Sequence, residues 1–444
     1  MATTYYCGAG QAQTNIAQVN ALSLVAGDSV LFNRSEIFRG TLAPKSGSSS
    51  GYIIYGAYGN GAKPLILGSK QENQLSDWTD LGGNIWSNND SAFTVQVGNL
   101  ILNNEALCGV KCALESDLSA QGEFWYDTTN HLVKIYSVGN PASVYTNIEC
   151  ALKPSANGIL SSGSAYIIFD GLDFRYSGVG TIFGGSTSYI IVKNCNFSFN
   201  GGCYQTGTTR YGGGIGTWNS AHDWLVEKCT FDNEYDAATT NQGNSSASIY
   251  NIVWRNNLIS NCEYSFEFWI SNASAIVNGI YFENNTCLNA GGGWGHSQRS
   301  NPNGRHIMMY SNTATTSNVF VRNNIFYNAT DSGIRIWSAS DLLDITLNYN
   351  DWYVATVGLV NATTYTILTD WQATTQDTHS IALDPLLTSD YKLQKTSPCI
   401  DAGVNLPEVT DDYDGVPRGS ATDIGAFEYW SKRIKNATLK NCQL

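Results

Sequence analysis

A block of eight residues recurs seven times in the middle of the chain: IIFDGLDF at 167, IIVKNCNF at 190, WLVEKCTF at 224, IVWRNNLI at 252, IYFENNTC at 280, VFVRNNIF at 319 and ITLNYNDW at 345. Successive blocks start 23, 34, 28, 28, 39 and 26 residues apart. Each is a short β-branched and aromatic run closed by an Asn or Gly turn, and no helical period lies between them. Parallel strands in an open sheet are joined by crossovers that are usually helical. Without such helices, strands at this spacing are expected to stack as coils of a parallel β-solenoid, with equivalent residues about 4.8 Å apart.

Stacking turns every block position into a column. The fourth position reads Asp170, Lys193, Glu227, Arg255, Glu283, Arg322 and Asn348. Its alternating sign predicts a structural ladder of attracting neighbours. The sixth reads Leu172, Cys195 and Cys229, then Asn257, Asn285, Asn324 and Asn350. An apolar stack there gives way to an asparagine ladder whose amides bond along the axis. The eighth, Phe174, Phe197, Phe231, Ile259, Cys287, Phe326 and Trp352, reads as core.

The repeat region resembles the right-handed parallel β-helix of the pectate-lyase-like superfamily, widespread among secreted polysaccharide-degrading enzymes. GDSVLFNRSEIFRG, from 27, is similar to the opening coils of bacterial members, and SPCIDAGVNLPEVTDDYDG, from 397, to their closing segment. The resemblance implies an all-β, right-handed solenoid and a secreted, carbohydrate-active protein. The expected organisation is a cap with the first coils over 1–77, an antiparallel β insertion over 78–152, the central helix with the site over 153–385, and a closing segment over 386–444. The insertion is read from short alternating strands between WTDLGGNIWSNND and NPASVY.

Composition narrows the partners. With 42% hydrophobic and 14% charged residues the chain is a folded one. Its net charge of -13 disfavours nucleic acid and anionic membrane, both of which need clustered Lys and Arg. No apolar run is long enough to span a bilayer, and the start, MATTYYCGAG, lacks the pattern of a secretory leader. Secretion is therefore expected with a leader absent from this sequence. Eleven cysteines without CxxC or Cys/His metal spacing suggest buried thiols. A monomer without cofactor, taking a polysaccharide or oligosaccharide, is the expectation.

Function in solenoids gathers where loops lengthen. The longest intervals follow the blocks at 190 and 280, and they contain GTTRYGGGIGTWNS and GGGWGHSQRSNPNGRH. Each coil is expected to carry a second strand, read as YSFEFW, GGWGHS and SGIRIW. With Phe266 and Phe268 inward, Glu267 points outward, and Ile334 and Ile336 do the same for Arg335. Glu267 lies 15 residues from its block start, His296 and Arg335 16 from theirs. One bulge then aligns Glu267, His296 and Arg335 as an external column, which Asp236 reaches from the preceding coil.

Glycosidic hydrolysis needs a carboxylic acid and a carboxylate. Glu267, flanked by aromatic residues that disfavour its charge, fits the acid, and Asp236, in a polar loop, the nucleophile or base. Trp218, Trp269, Trp294 and Trp337 offer stacking platforms. His296, Arg299, Arg305, His306 and Arg335 offer donors for hydroxyls or a carboxylate, and the glycines would let a glycan reach the backbone. A lyase is the alternative, with the same His296 and arginines acting and Ca²⁺ on Asp236, Glu234 and Glu263. A non-catalytic glycan-binding adhesin is a third reading. In plainer structural roles, Glu267 would pair with Arg335 or His296, and Asp236 would cap a turn.

Overall fold

The chain turns its corners where the same positions of each coil adopt the left-handed conformation. The fifth block position does so throughout, in Gly171, Asn194, Lys228, Asn256, Asn284, Asn323 and Tyr349. A second corner follows at Tyr176, Phe199, Asn233, Asn261, Asn289 and Asn328, with φ between 53° and 60°. Asparagine tolerates this region better than other side-chain-bearing residues, which is why it recurs there. The first of these positions ends each first-face strand, and the second lies at or next to the end of each second-face strand, where the chain turns onto a new face.

The computed structural model describes residues 2–154, 158–310 and 312–429. Three sheets form the faces of a parallel β-helix. The first has ten strands, from Thr4–Cys7 to Ile345–Asn348, and the second nine, from Ile37–Arg39 to Asp351–Tyr353. The third has eight, from Ile182–Gly185 to Thr363–Tyr365, and only its last pair is antiparallel. No helix among the described residues is long and apolar enough to cross a membrane.

All three predicted columns are in register. Asp170, Lys193, Glu227, Arg255, Glu283, Arg322 and Asn348 are successive partners on the first face. Arg255 meets Glu227 at 2.9 Å and Arg322 meets Glu283 at 2.7 Å. Below them, the Nδ2 of Asn257 donates to Asn285 and that of Asn285 to Asn324, both at 3.0 Å, and Asn324 donates to Asn350 at 3.1 Å. The same amides also bond main-chain groups of neighbouring coils, as Asn285 does with Trp254 O and Asn257 N. Phe174, Phe197 and Phe231 stack in the core with centroids 5.4 and 5.0 Å apart.

Between the second-face strands Leu65–Leu67 and Asp173–Arg175, mainly antiparallel strands from Ser69–Gln71 to Ile148–Leu152 form a four-stranded and a five-stranded sheet. Trp78, Phe93, Phe124 and Ile135 belong to a separate apolar core there. The C-terminal segment runs back over the first corner. Asp411 pairs with Lys228 at 2.7 Å, and the carbonyls of Glu408 and Val404 accept from Arg255 and Asn323 at 2.8 Å. Residues 430–444 of the expected closing segment lie outside the described residues.

One expected strand is absent. GGWGHS forms no strand: Trp294–Ser297 is a single helical turn, and the third-face strand of that coil is Arg305–Met309. The 39-residue interval thus contains an excursion that leaves the coil after Ala290 and returns at Arg305.

Asn285→Ala is expected to cost at least about 2 kcal/mol, because it strips partners from the buried Asn257 amide and two main-chain groups. Glu227→Gln, on the partly exposed charge ladder, is expected to cost about 1 kcal/mol or less. Denaturant unfolding followed by circular dichroism compares the two.

Candidate functional site

Two outward columns cross the third face. Phe183, Gly216, Thr240, Glu267, Met308 and Arg335 are successive partners in one, and Gly185, Trp218, Gln242 and Trp269 in the other. Phe266, Phe268, Ile334 and Ile336 point into the core. Glu267 and Arg335 therefore share an outward column as expected. Met308 occupies the place between them that His296 was expected to fill.

A cavity of about 570 Å³ opens over these columns, a volume usual for small-molecule sites. Asp236, Glu267, Arg299, Thr240, Gln242, Trp218, Trp269 and Tyr310 all line it, together with Gln205, Thr209, Arg210 and Tyr211 from a hairpin of the antiparallel strands Cys203–Thr206 and Thr209–Tyr211. The rings of Trp218 and Trp269 lie 5.9 Å apart and 23° from parallel.

The two carboxylates sit in different surroundings. Glu267 is 7% exposed, and its Oε2 accepts from Thr240 Oγ1 at 2.9 Å and Gln242 Nε2 at 2.5 Å. Burial first, and the charge of Asp236 second, push it up to about 7. Asp236 also feels burial, which raises its pKa, but Arg299 opposes the rise with an Nη1 donor 2.8 Å from Oδ1. Neutral donors thus hold one carboxyl and a guanidinium the other, the condition under which a nearby pair divides into acid and base.

Arg299 reaches Asp236 because Glu263 anchors its loop. Glu263 has a buried carboxylate that accepts from Asn303 N at 2.5 Å and Gly304 N at 3.1 Å. It also bonds His296 Nδ1 at 2.9 Å and lies 3.6 Å from Arg299 Nε. Trp294 donates its indole N–H to Asn233 O at 2.8 Å. Gln298 ties the loop to the insertion through Gly109 O at 2.9 Å. The glycines fit this packing rather than a ligand: a Cβ at Gly293 or Gly295 would collide with the carbonyl of Asn261 or Tyr235. Residues 291–295 do not line the cavity.

Several expected ligand donors are occupied elsewhere. His306 is in the core with Ser265 on its Nδ1 at 3.0 Å, and burial lowers it to about 4, so it cannot meet a sugar. Arg305 is nine-tenths buried and pairs with Asp331 at 2.5 Å. His296 and Trp294 are held on the loop's coil-facing side by the bonds above, outside the cavity lining. Arg335 also lies outside the lining, its guanidinium 4.4 Å from the centroid of Trp337. Trp337 is 45% exposed and stacks at 6.4 Å on Tyr310, which does line the cavity.

Glu234 is buried and bonds Asn200 at 2.9 Å, and burial pushes it well up. It does not join Asp236 and Glu263 in a cation site: among the described residues no group of three His, Cys, Asp or Glu could hold a metal ion.

Thr240, Gln242, Tyr310 and Arg210 are site residues that sequence reasoning did not single out. A signal for the first two was present in AATTNQG, a strand in which both faces are polar or small.

No protein-family model and no curated protein matches the chain. Solved structures are similar at low identity. The complex of XylC with xylose shares 11% identity over 96% of this chain and 98% of that one, with a TM-score of 0.47. GH136 lacto-N-biosidase from Eubacterium ramulus shares 14% over 81% and 65%, with a TM-score of 0.36. Alginate lyase from Paenibacillus sp. str. FPU-7 shares 9% over 86% and 99%, with a TM-score of 0.35.

Glu263→Ala is expected to cost about 3 kcal/mol and to release the loop. Limited trypsin digestion should then cut after Arg299, where the wild-type protein, with that side chain paired to Asp236 and Glu263, should resist.

Proposed function

We propose that the chain is a secreted glycoside hydrolase, with Glu267 as general acid and Asp236 as the carboxylate partner. The observation that carries this reading is the pair of interacting carboxyls in one cavity, one pushed up to about 7 and one held by an arginine. Glu267 donates its proton to the leaving glycosidic oxygen. Asp236 attacks the anomeric carbon or draws a proton from the attacking water. Trp218 and Trp269 present apolar rings to the sugar, and Thr240 and Gln242 hold Glu267 in place.

Elimination draws less support, because its candidate base, His296, is bonded to Glu263 outside the lining. An adhesin would need no such carboxyl pair.

A panel of polysaccharides and oligosaccharides, read for new reducing ends and for the ultraviolet absorbance of unsaturated products, separates the three. Reducing ends without that absorbance are expected, absorbance would move the reading to a lyase, and binding without turnover to an adhesin. Glu267→Gln should lower kcat about 10²–10⁴-fold.

The pH dependence has a definite sign. The acid must be protonated, so activity is expected to fall as pH rises through about 7. Because the negative charge of Asp236 raises Glu267, Asp236→Asn should move the Glu267 titration to lower pH. Carbon NMR of the labelled Glu267 carboxyl reads that shift even where turnover is lost.

A further inference from the structure

At the hairpin end of the cavity stands a group of cations without counter-ions. Arg210, from the strand Thr209–Tyr211, is 8% exposed and lines the cavity. Its Nε donates to Gly202 O at 2.7 Å, Nη1 to Gln298 Oε1 at 2.8 Å and Nη2 to Gly98 O at 3.1 Å. All three acceptors are neutral, and three bonds leave two of the five guanidinium donors unused. The planar group lies 4.6 Å from the Tyr235 ring centroid and 5.7 Å from that of Trp294.

Lys111 and Lys153 stand close enough for their charges to be felt. Lys111 is 9% exposed, with Nζ 2.6 Å from Val97 O, 3.3 Å from Gln96 Oε1 and 4.4 Å from the Tyr204 ring centroid. Burial, with Arg210 and Lys153 nearby, lowers it to about 7. Lys153 Nζ lies 5.8 Å from the ring centroid of Tyr211, another cavity residue. Among the described residues none of the three cations is ion-paired. The groups that would offset them are the thiol of Cys203 and the phenols of Tyr204 and Tyr235, all neutral at pH 7 because burial raises them. Arg299, the other cavity cation, is already paired with Asp236 and Glu263.

A buried charge left uncompensated is costly, and a chain of net charge -13 has ample carboxylates from which to supply a partner. A ligand that brings its own negative charge removes that cost. We propose that Arg210, backed by Lys111 and Lys153, is an anion subsite that takes the carboxylate or sulfate ester of an acidic sugar. This rests on the glycosidase reading and names its substrate class: a glycan with uronate or sulfated residues, seated with its charged substituent toward the hairpin and the bond to be cleaved at Glu267 and Asp236.

Binding of D-glucuronate, glucose sulfate and glucose to the wild-type protein, followed by the fluorescence of the cavity tryptophans, tests it. At least one charged sugar should bind about tenfold more tightly than glucose, and which one does so identifies the anion as carboxylate or sulfate. The preference should shrink as salt is raised, vanish in Arg210→Gln and weaken about threefold in Lys153→Gln. Lys153 is only half-buried, so its variant keeps the test if Arg210→Gln does not fold. Equal affinity for all three sugars, or binding of none, overturns the subsite and leaves the glycosidase standing, which falls only if no glycan of the panel is cleaved. A preference that survives Arg210→Gln and Lys153→Gln also overturns it.

Discussion

Everything at the site depends on vertical register between coils. Main-chain bonds alone allow a parallel strand to slip, and a slip by one residue would exchange the inward and outward sets. Two devices prevent it here. The left-handed corners fix where strands turn, and the asparagine ladder fixes which residue lies over which, because each amide bonds both its neighbour's amide and a main-chain group of the preceding coil. Glu267 stands over Thr240, and Gln242 between Trp218 and Trp269, only because that register holds.

The same register explains how similar groups acquire unlike properties. Glu227, Glu263, Glu267 and Glu283 all belong to strands or corners of consecutive coils. Glu227 and Glu283 face arginines in the ladder and serve it. Glu263 turns under an excursion and holds that loop by main-chain N–H groups. Glu267 alone meets neutral donors in a cavity wall, and so is the one with a proton to give near neutral pH. Position in the coil, more than residue type, decides the chemistry.

The coils were legible in the sequence because the solenoid repeats one environment many times. Each column samples that environment up to seven times, so Asp170 to Asn348 and Phe174 to Trp352 could be aligned before any geometry was known. Glu267 and Arg335 were placed outward for the same reason, through the alternation of their strands. Reading failed where the repeat is interrupted. GGWGHS imitates a strand in its apolar content, but three consecutive glycines run up to its Trp294 and the interval around it is the longest of the six, the mark of an insertion. The error carried His296 into the column in place of Met308. His306 and Arg305 were misjudged with it, since they belong to the strand that resumes the coil.

Net charge does not fix the field inside the cavity, and the reason is geometric. The chain carries 24 Lys and Arg against 37 Asp and Glu, but the Coulomb field at a buried group is set by what lies within a few ångströms, since charges beyond about 8–10 Å are screened by solvent and salt. Near Arg210 that neighbourhood is built from three sources: the hairpin, the 291–304 excursion that contributes Gln298, and the antiparallel insertion that contributes Gly98 and Lys111. None of the three brings a carboxylate to it. All three leave the coil after a second-face strand, so they escape the alternation that pairs charge with charge along the coils. The solenoid neutralises its own ladder, and the inserted elements leave a positive pole beside the two carboxyls.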